Sequence, residues 1–256
     1  MERKSAMEQD MTKGSPFRVL IMFTLPLAIG NIFQQLYNMA DTIIVGRYVG
    51  ADALAAVGST GTVMFLLNGF AQGITAGFSV LTAQRFGAGK KEGVKESVTN
   101  GVLLSIIGAI LFTVLSCGIM NPLLHLMNTP ENIFAQAYEY ISLISLGMVA
   151  NVFYNLFSSY LRAVGNSRMP LVFLVLSACL NVVLDLILII NFKMGVAGAA
   201  WATNLSQAIS AVLCAVYIYK KVPALMPEKR HWRFHKGDTR YQLATGIPMA
   251  LQFAIT

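Results

Sequence analysis

The sequence predicts an all-α integral membrane protein, and composition, segment length and charge placement all point to this class. Of the 256 residues, 55% are hydrophobic and only 12% are charged, whereas about a quarter are charged in an ordinary soluble domain. A helix needs about 20 apolar residues to cross the hydrocarbon core of a bilayer. Six such segments predict a six-helix transmembrane bundle: 16–45, 53–83, 97–120, 132–161, 169–191 and 196–219.

Turn-forming and charged stretches separate the predicted helices. They fall at Gly46-Arg47, 87–91, Asn121-Pro122, 165–168 and 193–195, where glycine, proline and charged residues favour a break. Outside the bundle, residues 1–15 form a polar tail and residues 220–240 form a basic linker. The predicted lobe therefore occupies residues 16–219.

The distribution of basic residues predicts the orientation in the membrane. If the N-terminus is cytoplasmic, 17 of the 19 Lys and Arg residues lie on the inner side, and only Arg47 and Lys193 lie outside. Such an excess follows the positive-inside rule. We therefore expect a multi-pass protein of the cell membrane, with the lipid bilayer as its partner. The net charge of +7 indicates this topology, and nucleic acid is not an expected partner.

The last stretch, 241–256, predicts the start of a seventh helix that is too short to span a bilayer. Its sequence TGIPMALQFAIT resembles TLPLAIGNIF in the first helix, with Pro248 in the place of Pro26 at an offset of 222 residues. Internal repeats of this kind are typical of secondary transporters. We therefore expect a truncated second lobe, whose remainder would be the structural partner of the first lobe in a full-length protein.

Two acidic residues, Asp41 and Asp185, lie well inside apolar segments. An ionisable side chain there costs about 2.5 to 3.5 kcal/mol on insertion scales, so it indicates a functional site. The alternative is a structural hydrogen-bond anchor between helices. Asp41 is six residues before Arg47 and Asp185 is eight before Lys193, which places both about 9 to 12 Å below the outer boundary.

Two further polar residues are predicted at this site, and the first of them, Thr203, reaches a similar depth. Thr203 lies eight residues past Gly195 on a helix that enters from outside, and Asn181 precedes Asp185 by four residues, which puts both side chains on one helix face. Their oxygen atoms, together with the two carboxylates, would suit a hard cation such as Na⁺. The same carboxylates could bind H⁺ instead, and the sequence leaves this choice open. No other cofactor is expected.

The first helix also carries a polar stripe and a proline. Gln34, Tyr37, Asn38 and Asp41 recur at three- and four-residue spacing, so they share a helix face. The first three are candidates for a substrate path, although interhelical hydrogen bonding is an equally good explanation for each. Pro26 predicts a kink, which is either a tolerated distortion or a hinge that bends when the ion binds.

The chain resembles the MATE (multidrug and toxic compound extrusion) family, and within it the DinF-like prokaryotic branch. The resemblance covers the whole chain and rests on several motifs in the same order. They are PLAIGNIFQQLYNMADTIIVGRYVGADALAAVG, the glycine-bounded stretch 77–89, LRAVGNSRMP, LNVVLDLILI and GVAGAAWATNLSQ.

The resemblance implies a fold of two pseudo-symmetric six-helix lobes, of which this chain supplies the first. It implies export of small organic, often cationic, compounds in exchange for inward Na⁺ or H⁺, through a central cavity that opens alternately to either side. It also implies that Asp41, Asn181, Asp185 and Thr203 bind the coupling cation. Asn155 would belong to the supporting network.

Two other functions are compatible with the sequence. A lipid-linked oligosaccharide flippase of the same superfamily would need a cationic cavity, but the predicted helices contain no Lys or Arg apart from Arg18, near the start of the first helix. A non-transporting half would be favoured by a stop codon directly after Thr256. An enzyme is not expected, because the sequence offers no combination of nucleophile, base and orienting residue.

Overall fold

A computed structural model describes residues 16–255, leaving aside the side chains of residues 16, 18 and 19. The predicted tail, 1–15, and Thr256 lie outside the described residues. The described part is helical and contains no β-strand, which confirms the all-α prediction. Its helices are α1 (Pro16–Tyr48), α2 (Ala51–Ser59), α3 (Gly61–Gly87), α4 (Lys91–Leu126), α5 (Glu131–Leu146), α6 (Met148–Ala163), α7 (Arg168–Asp185), α8 (Gly195–Lys221) and α9 (Lys236–Ile255).

Three short helical turns complete the described chain. A π-helical turn, Leu186–Asn191, continues directly from α7. Two 3₁₀ turns, Pro223–Leu225 and Lys229–His231, lie between α8 and α9.

The number of membrane-crossing elements agrees with the predicted bundle. Five helices are long and apolar enough to cross a membrane, namely α1, α3, α4, α7 with its π-helical turn, and α8. The pair α5 and α6 meets the same criterion together and bends by 47° where the two helices join. Counting this bent pair as one span gives six, so the chain is a multi-pass membrane protein.

Two predicted helices are each divided into two. The predicted helix 53–83 breaks at Thr60, and the predicted helix 132–161 breaks at Gly147. At the second break, the Asn204 amide of α8 donates a 2.7 Å hydrogen bond to the Leu143 carbonyl oxygen. A side chain at Gly147 would collide with Asn204, so the bend depends on a glycine and on a partner from another helix.

The predicted break at Asn121-Pro122 is wrong, because α4 continues through Pro122 to Leu126. A proline removes one backbone hydrogen bond and is tolerated in membrane helices when neighbouring groups adjust. Pro122 lies close to the end of α4, where few backbone hydrogen bonds of the helix remain to be disturbed. The turn instead comes at Asn128, whose φ of 52° is the left-handed conformation that ends many helices.

Helix α8 forms the centre of the bundle, and α1 lies at its edge. Helix α8 packs against α5, α6 and α7, and Ala199, Ala200 and Ala202 are fully buried. Small side chains let membrane helices approach closely, which is how such helices gain packing energy in lipid. Helix α1 packs mainly against α7 and leaves most of its large apolar side chains exposed.

The predicted linker, 220–240, is shorter than expected and is docked onto the bundle. Helix α8 extends to Lys221 and α9 begins at Lys236, which leaves residues 222–235 between them. Val222 and Leu225 are buried in the same apolar cluster as residues of α4 and α6. The burial of these two apolar side chains explains why the segment folds back against the helices, although its basic residues predict an exposed linker.

A row of glycines on α3 lets α9 pack backbone against backbone. Gly69, Gly73 and Gly77 recur every four residues, so they line one face of α3. A Cβ atom on Gly73 would lie 2.6 Å from the Cα atom of Ala250, and one on Gly77 would overlap the backbone of Gly246. Helix α9 therefore packs against α3 along most of its length, from Asp238 to Phe253.

The close contact between α3 and α9 can be tested by adding a single methyl group to α3. We expect Gly73→Ala to destabilise the chain by about 1 to 3 kcal/mol, because overpacking forces the two backbones apart. The matched control is Gly118→Ala on α4, where an added Cβ has no neighbour within 4 Å. Thermal unfolding in detergent should show a loss of stability for Gly73→Ala alone. Equal stability of the two variants would contradict this packing.

Candidate functional site

The two membrane-embedded carboxyl groups meet between α1 and α7. Asp41 on α1 is 8% exposed and Asp185 at the end of α7 is fully buried. The two side chains are direct neighbours. A pair of acids held this way in a lipid environment requires a compensating cation or proton.

Thr203 connects three helices at this site. Its hydroxyl oxygen accepts hydrogen bonds from the Tyr37 hydroxyl of α1 at 3.2 Å and from the Asn181 amide of α7 at 3.3 Å. Thr203 itself lies on α8 and is buried. The structure therefore brings together the four residues predicted to bind a cation, Asp41, Asn181, Asp185 and Thr203.

Several oxygen atoms at this site lack a hydrogen-bond partner among the described residues. They are Oδ1 of Asp41, Oδ1 of Asn181 and both carboxylate oxygens of Asp185. An unpartnered buried oxygen costs about 1 to 3 kcal/mol, and more when charged. Carboxylate and amide oxygens are ligands of hard cations. The arrangement therefore fits a bound cation, or protons shared among the carboxyl groups.

A local irregularity in the backbone begins directly after Asp185. The regular helix α7 ends at Asp185, and the π-helical turn Leu186–Asn191 follows it without a break. Single π-helical turns occur often at functional sites, because the extra residue shifts the hydrogen-bond register. The sequence does not predict this turn, because apolar residues such as Leu186 and Ile187 are equally compatible with a regular α-helix.

Tyr140 on α5 is a further buried neighbour that the sequence reasoning missed. It is almost fully buried and lies near Asp41 and Asp185. Its ring packs in the apolar cluster that also contains Val45 of α1 and Val196 of α8. The only sequence signal is its place on the face of α5 that also carries Ile133 and Ala137, which by itself indicates packing.

Asn155 belongs to a different polar cluster. Its amide nitrogen donates to the backbone oxygen and to Oδ1 of Asn151, at 2.9 and 3.0 Å. The Asn151 amide in turn donates to Oδ1 of Asn68 on α3 at 3.0 Å. These hydrogen bonds link α6 to α3, and none of those found for Asn155 reaches Asp41 or Asp185.

The predicted substrate-path residues have different surroundings. Gln34 and Asn38 are exposed on α1, and the Asn38 amide makes a long 3.4 Å hydrogen bond to Gln35. Tyr37 instead points to Thr203, so it belongs with the cation-site residues. Helix α1 runs continuously through Pro26, and the hinge at that position stays a prediction.

Comparison with known proteins identifies the class of protein to which this fold and site belong. The family model described as MatE matches residues 26–187, which is more than half of the chain. The chain therefore belongs to the MatE family, as the resemblance of its motifs predicted. Members of this family are secondary transporters and not enzymes.

Individual relatives agree with this assignment. The chain is 30% identical over 248 residues to the probable multidrug resistance protein YpnP of Bacillus subtilis, covering 96% of this chain and 55% of that protein. It is 28% identical to the DNA damage-inducible protein F of Escherichia coli, over 92% of this chain and 51% of that protein. The chain spans about half the length of the curated relatives it matches.

A solved structure shows the same fold. An outward-facing conformation of a multidrug resistance MATE family transporter of the MOP superfamily is similar to this chain with a TM-score of 0.90 and 29% identity. The similarity covers 98% of this chain and 56% of that transporter. The described helices therefore have the arrangement of one half of a MATE transporter.

The hydroxyl group of Thr203 gives a direct test of the site geometry. We expect Thr203→Val to lower the free energy of unfolding by about 1 to 2 kcal/mol, because the Tyr37 and Asn181 donors lose their acceptor. Thr203→Ser keeps the hydroxyl and is the matched control. Denaturant unfolding in detergent should separate the two variants, and a stable valine variant would show that the hydrogen bonds are unimportant.

Proposed function

We propose that the chain is the cation-binding half of an antiporter that exports small organic compounds across the cell membrane. The observation that carries this proposal is the group of buried oxygens of Asp41, Asn181 and Asp185 that have no hydrogen-bond partner within residues 16–255. They lie where α1, α7 and α8 meet, inside a protein of a transporter family. A cation that binds there can bias the positions of the three helices.

In this proposal, Asp41, Asn181, Asp185 and Thr203 bind the coupling cation. Na⁺ would be held by carboxylate, amide and hydroxyl oxygens, which are its usual ligand types. H⁺ would instead be taken up by the two carboxyl groups, whose titration is then coupled. Both ions remain candidates. Asn155 would act at a distance, through the amide chain that joins α6 to α3.

The membrane potential supplies enough energy for such exchange. Each elementary charge that moves across 100 mV provides about 2.3 kcal/mol, which corresponds to a concentration ratio of roughly 50-fold. One or two inward-moving cations therefore suffice to drive export of an organic compound against a steep gradient. We propose that the ion bends or shifts α1, with Pro26 as the hinge, because α1 lies at the edge of the bundle and packs mainly against α7.

The exposed polar side chains of α1 are proposed to face the substrate. Gln34 and Asn38 are exposed and lie one to two helical turns from Asp41. Small organic compounds, often cationic, would contact this stripe while the ion site lies beside it. Because ion and substrate would both contact α1, each could favour a different position of this helix. Binding of one would then weaken binding of the other, which is a physical basis for exchange.

The lobe arrangement and topology complete the proposal. The lobe 16–219 would pair with a second lobe that begins with α9, with the N-terminus on the cytoplasmic side. The tight α3–α9 packing would then be a contact between the lobes at the inner side. This contact would hold the inner side closed while the outer side is open.

The proposed ion site predicts loss of coupled transport. We expect Asp41→Asn and Asp185→Asn, each made in the full-length protein, to reduce ion-driven efflux in proteoliposomes to the level of empty vesicles, because the coupling cation loses a charged ligand. The matched control is Asp52→Asn in the first turn of α2, an exposed acid outside the site.

The same vesicles distinguish the coupling ions. Efflux that responds to an imposed Na⁺ gradient and not to an imposed pH gradient identifies Na⁺, and the reverse response identifies H⁺. Efflux that survives both aspartate substitutions would refute the assignment of the ion site.

A further inference from the structure

The segment between α8 and α9 is held to the bundle by its acidic and apolar side chains. The Lys95 ammonium group of α4 donates a 2.7 Å hydrogen bond to Glu228, which lowers the pKa of the Glu228 carboxyl and keeps it charged. Arg230 and His231 both contact Oε2 of Glu92 on α4, at 2.7 and 2.9 Å. His231 is buried and accepts a hydrogen bond from the Glu228 backbone N–H.

A second ion pair fixes the start of α9. The Arg85 guanidinium at the end of α3 donates two hydrogen bonds to the Asp238 carboxylate, at 2.7 and 2.6 Å. Such a two-point contact is the strongest geometry for an arginine and a carboxylate. The nearby acids of this segment, Glu228 and Asp238, are therefore already neutralised by residues of α3 and α4.

This pairing leaves a set of positive charges without acidic partners. None of them makes an ion pair with another described residue, and all are exposed. We call them the basic surface: Lys220, Lys221, Lys229, Arg233, Lys236 and Arg240. All lie at one end of the bundle, where α8 ends and α9 begins.

Exposed aromatic side chains lie among these charges. Trp232 is 51% exposed and Phe234 is 50% exposed, and they alternate with Arg233 in the sequence. Tryptophan prefers the boundary between water and lipid, where its apolar ring and its polar N–H are both accommodated, and phenylalanine adds an apolar ring that can enter the acyl region. An exposed basic and aromatic segment between two membrane-embedded helices therefore fits the headgroup layer of a bilayer.

We propose that the basic surface, with Trp232 and Phe234, is a docking site for anionic phospholipid headgroups. Charge complementarity favours this partner. The basic side chains lie at the end of the membrane-spanning helices, where the nearest negative charges are the phosphate groups of anionic lipids. Each such residue near an anionic surface contributes about 1 kcal/mol. The role is separate from ion binding at Asp41 and Asp185, and it does not require that the protein transports anything.

The two tryptophans of the chain allow a direct measurement. The variant Trp201→Phe leaves Trp232 as the only tryptophan, so its fluorescence reports on this surface. The protein is placed in phosphatidylcholine nanodiscs that contain a minor share of brominated phosphatidylglycerol or, separately, the same share of brominated phosphatidylcholine. We expect stronger quenching by the anionic lipid, and we expect the difference to shrink as salt screens the charges. Equal quenching by the two lipids would overturn the proposal.

Charge-removal variants test which residues attract the lipid. Arg233→Gln combined with Lys236→Gln should reduce the preference for phosphatidylglycerol by about fivefold or more. The matched control is Arg47→Gln with Lys193→Gln, which removes the same charge at the opposite end of the bundle and should leave the preference intact. An equal loss in both pairs would overturn the proposal.

A free anion is distinguished from a lipid in the same system. Inorganic phosphate at constant ionic strength should not remove the preference, because the aromatic side chains bind lipid and not free phosphate. Loss of the preference on adding phosphate would overturn the lipid assignment. The salt dependence needs no charge substitution, so it remains decisive even where a charge-removal variant fails to fold.

Discussion

The buried carboxyl pair of Asp41 and Asp185 is the feature on which the rest of this structure depends. Lipid offers no water to solvate a carboxylate, so the protein must supply a partner or bind one from outside. The helices around the pair provide hydrogen bonds to Thr203, but carboxylate and amide oxygens of the site find no partner in the described part of the chain. A site that is incomplete in this way costs folding energy unless a cation or proton completes it.

Helix packing makes this incomplete site possible. The small residues Ala199, Ala200 and Ala202 bring α8 close to its neighbours, so Thr203 reaches α1 and α7 at once. Asn204, the next residue, stabilises the bend at Gly147. One turn of α8 therefore serves both the polar site and the shape of the bundle. Helix α1 packs mainly against α7 and leaves most of its large apolar side chains exposed.

Sequence patterns were sufficient for the number of spans and for the expectation that Asp41 and Asp185 lie close together. Charge placement and apolar length predicted six spans, and counting residues from Arg47 and Lys193 placed Asp41 and Asp185 at one level. The features that could not be predicted depend on partners distant in sequence. The Gly147 bend needs Asn204, and the docked segment 222–235 needs Lys95 and Glu92 of α4. Local sequence cannot show these contacts, because neither partner alone has an unusual pattern.

The most direct test of the account is whether a cation completes the carboxyl site. Thermal unfolding of the purified chain would be followed in Na⁺ and in a bulky organic cation at equal ionic strength, and at two pH values, for the wild type and for Asp41→Asn with Asp185→Asn. A ligand that binds only the folded state raises stability with its concentration. The account predicts that Na⁺ or H⁺ stabilises the wild type more than the double variant. An identical response of the two proteins to both ions would contradict it.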